Sequence, residues 1–217
     1  MSEAPASRRE LIRRGAIAAG TVAAAGLLRP ALAGAQSATD EDLRDFLAEA
    51  IGLEQITVLA YASAADAADS GGDRQRLEDF RDQEQAHANA LRSAIDEIGF
   101  DPPEAPDSPT DTGVFDDVDG LDTETADRLK GRLGDVGKAR TPDQFVTLLT
   151  DLETDQLTLY AGQGPALDSA DLATTAAEIA GCQAQHLVVL GGFAGDSPAD
   201  AATAAAKVAS DAAPTGS

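Results

Sequence analysis

A constant offset of 99 residues maps one part of this chain onto another, and the pairs it makes include polar residues on apolar helix faces. Glu54 falls on Glu153, Tyr61 on Tyr160, Glu84 on Gln183 and His87 on His186. Phe46 and Phe145, Leu53 and Leu152, and Leu91 and Leu190 coincide in the same register without a gap. Chance matches between helical sequences would not favour the polar positions of the buried stripe. The chain therefore reads as two copies of one helix hairpin related by an approximate two-fold axis.

Periodicity gives the helices themselves. From Asp40 to about Asp69, Leu43, Leu47, Ala50, Glu54, Thr57, Tyr61, Ala64 and Ala68 recur in steps of four and three, one face of a helix that stops at Gly71-Gly72. A second face runs through Leu77, Phe80, Glu84, His87, Leu91, Ala94 and Ile98 to Gly99. A third starts at Thr141-Pro142, a good cap with proline in the first turn, and passes Val146, Leu149, Glu153, Gln156 and Tyr160 to Gly162. The fourth takes Leu172, Ala176, Ile179, Gln183, His186, Leu190 and Phe193. The connection over residues 100–140 begins with a proline-rich irregular stretch, and a short helix is expected over 121–138 through Leu121, Leu129, Leu133 and Val136. It is long enough to cross the bundle between the second and third major helices.

Each stripe carries a polar anomaly: Glu54, Glu84 with His87, Glu153, and Gln183 with His186. Three ionised carboxylates in one core require a cation, protons or basic partners, and the stripes contain no Lys or Arg. Glu84 and His87 stand three residues apart and point from one side of one turn. Carboxylate and imidazole suit first-row transition metals. Helix bundles build di-iron and di-manganese sites from one Glu on each of two helices and a Glu-x-x-His on each of the others. The expected ligands are Glu54, Glu84, His87, Glu153, Gln183 and His186, with Fe or Mn as one or two ions per chain. Tyr61 and Tyr160, two turns beyond Glu54 and Glu153, would hydrogen-bond a ligand carboxylate, carry an electron, or simply pack with a satisfied hydroxyl. Cys182 reads as a small buried apolar residue.

Leu53-Glu54 with Tyr61, and Gln83-Glu84-Gln-Ala-His87-Ala, resemble the ferritin-like superfamily, closest to its exported single-domain, desiccation- and stress-related members. The resemblance spans about residues 40–194. It implies an all-α, ferritin-like antiparallel four-helix bundle with one long crossover between helices 2 and 3. It also implies metal-dependent chemistry of the di-iron carboxylate oxidoreductase kind, with oxygen or peroxide oxidising Fe(II). Gln183 departs from the pattern, leaving three carboxylates where four are usual. It would ligate through its amide oxygen, or leave one ion weak or missing, or hydrogen-bond a protonated Glu in a metal-free core. The last case belongs to the competing reading, a non-catalytic stress or surface-interaction protein that keeps the bundle with a degenerate site. Storage in a shell is a weaker third reading, because nothing in the sequence specifies a cage.

The ends of the chain give an address and a tail. Ser7-Arg8-Arg9-Glu10-Leu11-Ile12-Arg13 resembles a twin-arginine export motif. The uncharged stretch Ala16 to Leu28 is too short to span a bilayer, and small residues suited to cleavage follow at 31–35. The reading is a signal peptide over 1–35, a bundle over 36–194, and an Ala- and Asp-rich disordered tail over 195–217. The product would be extracytoplasmic, with no membrane span after cleavage. The formal charge is -22, from 38 acidic and 16 basic residues, which excludes nucleic-acid phosphate as a partner and suits a salt-adapted surface. With a single cysteine, neither an internal disulfide nor a cysteine-cluster metal site can form.

Overall fold

The computed structural model describes residues 39–164, 167 and 169–213. The export motif lies outside the described residues. Six α-helices and one short 3₁₀ turn appear among the described residues, and no strand. Helix α1 spans Asp40–Ala67, α2 Gly71–Ile98, α3 Thr123–Val136, α4 Pro142–Gln163, α5 Ala170–Ala194 and α6 Pro198–Ala212. None is long and apolar enough to cross a membrane.

Local sequence sets the ends. The Thr39 hydroxyl oxygen accepts a hydrogen bond from the Asp42 amide at 3.1 Å, and the Thr39 amide donates in return to the Asp42 carboxylate at 2.9 Å. Thr141 and Gln144 repeat this box at α4, with Pro142 opening the helix. Ser70, Ser169 and Ser197 cap α2, α5 and α6 with the side-chain oxygen alone, each accepting from the amide three residues on. Gly99 and Gly195 end α2 and α5 in the left-handed conformation, at φ 79° and 95°.

The four long helices pair around one core: α1 packs on α2 and α4, and α5 packs on α4 and α2. The two hairpins thus face each other as the repeat requires. The crossover carries a 3₁₀ turn at Thr112–Phe115 and then α3, which lies on α1 and α4. Phe115, Leu129 and Leu133 are fully buried there, each contributing about 1.5–3 kcal/mol of apolar transfer. Arg128 pairs with Glu49 of α1, and Arg132 reaches Asp155 of α4 at 2.7 Å. The proline-rich stretch is pinned by Gln55 and Arg92, which both donate to the Pro103 carbonyl, at 3.2 and 2.8 Å.

Gly120 brings the crossover backbone close to α1. Its φ is +83°, and a Cβ would sit 2.7 Å from the Arg44 carbonyl oxygen. Gly120→Ala is expected to cost about 1–3 kcal/mol, seen as a lower denaturant midpoint at unchanged slope.

The C-terminal segment corrects the sequence reading. Over 195–217 a disordered tail was expected; instead α6 packs against α5 and α4, with Ala201 and Ala205 buried. Two features explain it. Ser197-Pro198 starts a helix that alanine propagates well. Glycines on the facing helices let it lie close: a Cβ on Gly191 would meet that of Ala201 at 2.7 Å, and one on Gly162 would meet the Ala212 carbonyl at 3.2 Å. Methyl groups against glycine backbone make a real interface without large apolar side chains.

Candidate metal centre

All six polar residues singled out from the stripes meet in the middle of the bundle. Glu54, Glu84, Glu153, Gln183 and His186 are at most 1 % exposed, and the His87 side chain is 15 % exposed. They form two triads, Glu54–Glu84–His87 and Glu84–Glu153–His186, in each of which the candidate ligand atoms lie within 4.8 Å of one another. Glu84 belongs to both. His186 Nδ1 stands 3.0 Å from Glu153 Oε1 and from Glu84 Oε1. His87 Nδ1 stands 3.5 Å from Glu54 Oε2 and 3.7 Å from Glu84 Oε1. One half-site is compact and enclosed; the other is looser and reaches the surface through His87.

The tyrosines cross between the halves. Tyr61 of α1 donates to Glu153 of α4, and Tyr160 of α4 donates to Glu54 of α1, both at 2.5 Å. Burial pushes both phenols well above their ordinary range, so each remains a neutral donor. Phe80 stacks on His186 with ring centroids 4.1 Å apart and closes that side.

Gln183 breaks the two-fold symmetry, and Gln156 breaks it in concert. Gln183 Nε2 donates to Glu84 Oε2 at 3.0 Å and to Glu54 Oε1 at 3.4 Å, while Gln156 Nε2 reaches the same Glu84 Oε2 at 3.1 Å. Thr57, the repeat mate of Gln156, only bonds back to the Leu53 carbonyl. Two amides therefore hold one oxygen of Glu84 and leave Oε1 facing the histidines. Gln156 was legible as a stripe residue but carried no sign of this role. Cys182 also departs from expectation: it is half-buried rather than an inert core residue, and its Sγ donates to Gln83 Oε1 at 3.2 Å.

Burial and the two histidines set the electrostatics of the cluster. Among the described residues, its ion-pair partners are histidines alone. Burial, reinforced by the charge of Glu84, pushes Glu54 well above the ordinary carboxylate range. Burial also raises Glu153 to about 7, against the pull of His186. Burial acts on Glu84 too, but the imidazoles of His186 and His87 beside it outweigh it and hold Glu84 well below that range. Burial opposes charge on His87, yet Cys182 and the carboxylates of Glu54 and Glu84 beside it push it up to about 12. Burial opposes charge on His186 as well, and the Glu153 charge more than offsets it.

A cation fits this donor set. Glu54 Oε2, Glu84 Oε1, Glu153 Oε2, His87 Nδ1 and Gln183 Oε1 are buried without a hydrogen-bond partner. Leaving such atoms unpaired is costly, and a bound ion would satisfy several of them together. Fold and site thus define an all-α carboxylate–histidine bundle compatible with two metal ions. Residues 44–195 match the family described as the Ferritin-like domain, and the chain belongs to it. No curated protein and no solved structure matches the chain.

Proposed function

We propose that this protein binds iron or manganese outside the cytoplasmic membrane, after export by the twin-arginine route and removal of residues 1–35. Glu54, Glu84 and His87 hold one position; Glu84, Glu153 and His186 hold the other, with Gln183 supplying at most its amide oxygen. The observation that carries this reading is the pair of buried triads sharing Glu84, with unpartnered oxygen and nitrogen atoms turned inward. Mixed carboxylate and imidazole donors favour Fe and Mn over ions that prefer thiolate or all-oxygen cages. A bound ion of this kind supplies one-electron chemistry toward oxygen or peroxide. The chain does the rest: Tyr61 and Tyr160 orient the two outer carboxylates, and Phe80 keeps water from His186.

A second reading has its own observation. The Gln183 amide already donates to both Glu84 and Glu54, as it would in a non-catalytic stress or surface-interaction protein with a degenerate site. Metal analysis separates the two. Protein prepared in high salt, incubated anaerobically with Fe(II) or Mn(II) and desalted should retain at least one ion per chain. Empty protein with intact helical circular dichroism would sink the metal reading, and a ferroxidase assay on loaded protein then separates binding from turnover.

The pH dependence has a definite sign. Glu153 titrates near 7 when folded and near 4.5 when free, so through that window the folded chain holds the extra proton. His87, raised from 6.5 to about 12, does the same at neutral pH, its contribution to stability being full below 6.5 and lost as pH rises through the folded value. Metal must displace these protons, so apparent affinity should rise from pH 6 to pH 8. Calorimetry in two buffers of different ionisation enthalpy should register net proton release; proton uptake would contradict the assignment.

A further inference from the structure

Gln83 lies one residue before Glu84 on α2 and is exposed, which marks it at first sight as an ordinary wet residue. Its amide oxygen is nevertheless 2.9 Å from His186 Nε2, on the opposite hairpin. An amide oxygen has no proton to give, so the imidazole must be the donor at Nε2. That fixes which nitrogen is left. Nδ1 is the atom turned toward Glu84 and Glu153, 3.0 Å from an oxygen of each. With Nε2 committed to Gln83, Nδ1 is the ring nitrogen left to face the triad, and the one an ion held there would take.

The repeat sharpens the point. Adding 99 to Gln83 gives Cys182, so the second hairpin offers His87 a thiol where the first offers His186 an amide. A thiol is a weak hydrogen-bonding group. This one is shared, with Sγ 3.2 Å from Gln83 Oε1 and 3.5 Å from His186 Nε2. His87 is correspondingly looser, its Nδ1 3.5 and 3.7 Å from the carboxylates and its side chain 15 % exposed, against 1 % for His186.

We infer that Gln83 is a positioning residue: it commits His186 to the Nε2–H form across the bundle and so makes Glu84–Glu153–His186 the half-site that fills first. This rests on the metal-binding reading. Outer hydrogen-bond partners of ligating histidines fix the tautomer and ring orientation, and their loss weakens metal affinity by about 10- to 100-fold. Substituting an exposed residue ordinarily changes stability little, so the effect would be local to the site.

The test uses the full mature chain in wild-type, Gln83→Leu and Gln83→Glu forms, with free Mn(II) followed by its paramagnetic resonance signal. Wild type should bind in a tight and a weak step. Gln83→Leu should weaken the tight step about 10- to 100-fold and leave the weak one unchanged, whereas Gln83→Glu, which keeps an acceptor, should retain tight binding. In metal-free protein with labelled histidine, nitrogen NMR should show a hydrogen-bonded His186 Nε2–H, and that signal should shift in Gln83→Leu alone. Unchanged Mn(II) affinity in Gln83→Leu would overturn the inference while metal binding stands. Wild type that binds no Mn(II) or Fe(II) would remove the metal reading and the filling order with it, and the NMR arm would then decide the tautomer assignment alone.

Discussion

Glu84→Ala should empty both metal positions at once. Glu84 is the one side chain common to the two triads, whereas Glu54→Ala and Glu153→Ala each remove a ligand from one of them. Metal content should therefore fall to near zero in Glu84→Ala and only partly in the other two. Stability should suffer as well, because the Glu84 carboxylate accepts from Gln183 and Gln156 and faces both imidazoles. Breaking a buried ionic cluster by removing one partner costs about 3–5 kcal/mol. A domain has only about 5–15 kcal/mol to lose, so a sharply lowered melting temperature is expected. Glu84→Gln keeps the shape and an acceptor for the two amides but lacks the charge. It should fold close to wild type, by circular dichroism, and still bind no metal. Full metal occupancy in Glu84→Gln would show that the shared carboxylate is not the anchor.

Gln183→Glu should act in opposite senses on the metal-free and metal-loaded protein. The Gln183 amide donates to Glu84 and Glu54 at 3.0 and 3.4 Å, and a carboxylate in that place meets two others with nothing to offer them. Without metal, the added buried charge should cost on the order of 3 kcal/mol. For a chain of this size that lowers the melting temperature by about 10 °C. With metal, the fourth carboxylate completes the charge balance. Affinity should then rise about tenfold for each 1.4 kcal/mol gained. The gap between metal-free and loaded melting temperatures, which reads binding as stability, should widen well beyond that of wild type. An unchanged metal-free melting temperature would mean that Gln183 is not part of a compressed carboxylate cluster.

The sequence carried the frame of this site because its two signals are periodic. The heptad-like spacing of apolar residues placed the four long helices, and the 99-residue offset put Glu54, Glu84, His87, Glu153, Gln183 and His186 at matching depths. Partners chosen by three-dimensional neighbourhood were another matter. Tyr61 and Tyr160 were in register with the ligands, but each serves the carboxylate of the opposite helix, which no pattern within one helix encodes. Gln156 and Gln83 are amides on helices, indistinguishable by type from solvated ones, until the repeat is used to ask why their mates are Thr57 and Cys182. Helix α6 was missed for a different reason. Its contact is made by Ala methyls against Gly191 and Gly162, and a sequence scan for large apolar residues is blind to an interface made by closeness.

Anomalous diffraction from crystals soaked in Mn(II) tests the central claim most directly. The account predicts a peak in the bundle core among Glu84, Glu153 and His186, with a weaker one, or none at low metal concentration, toward Glu54 and His87. Mn(II) peaks confined to the acidic surface, with none in the core, would contradict it.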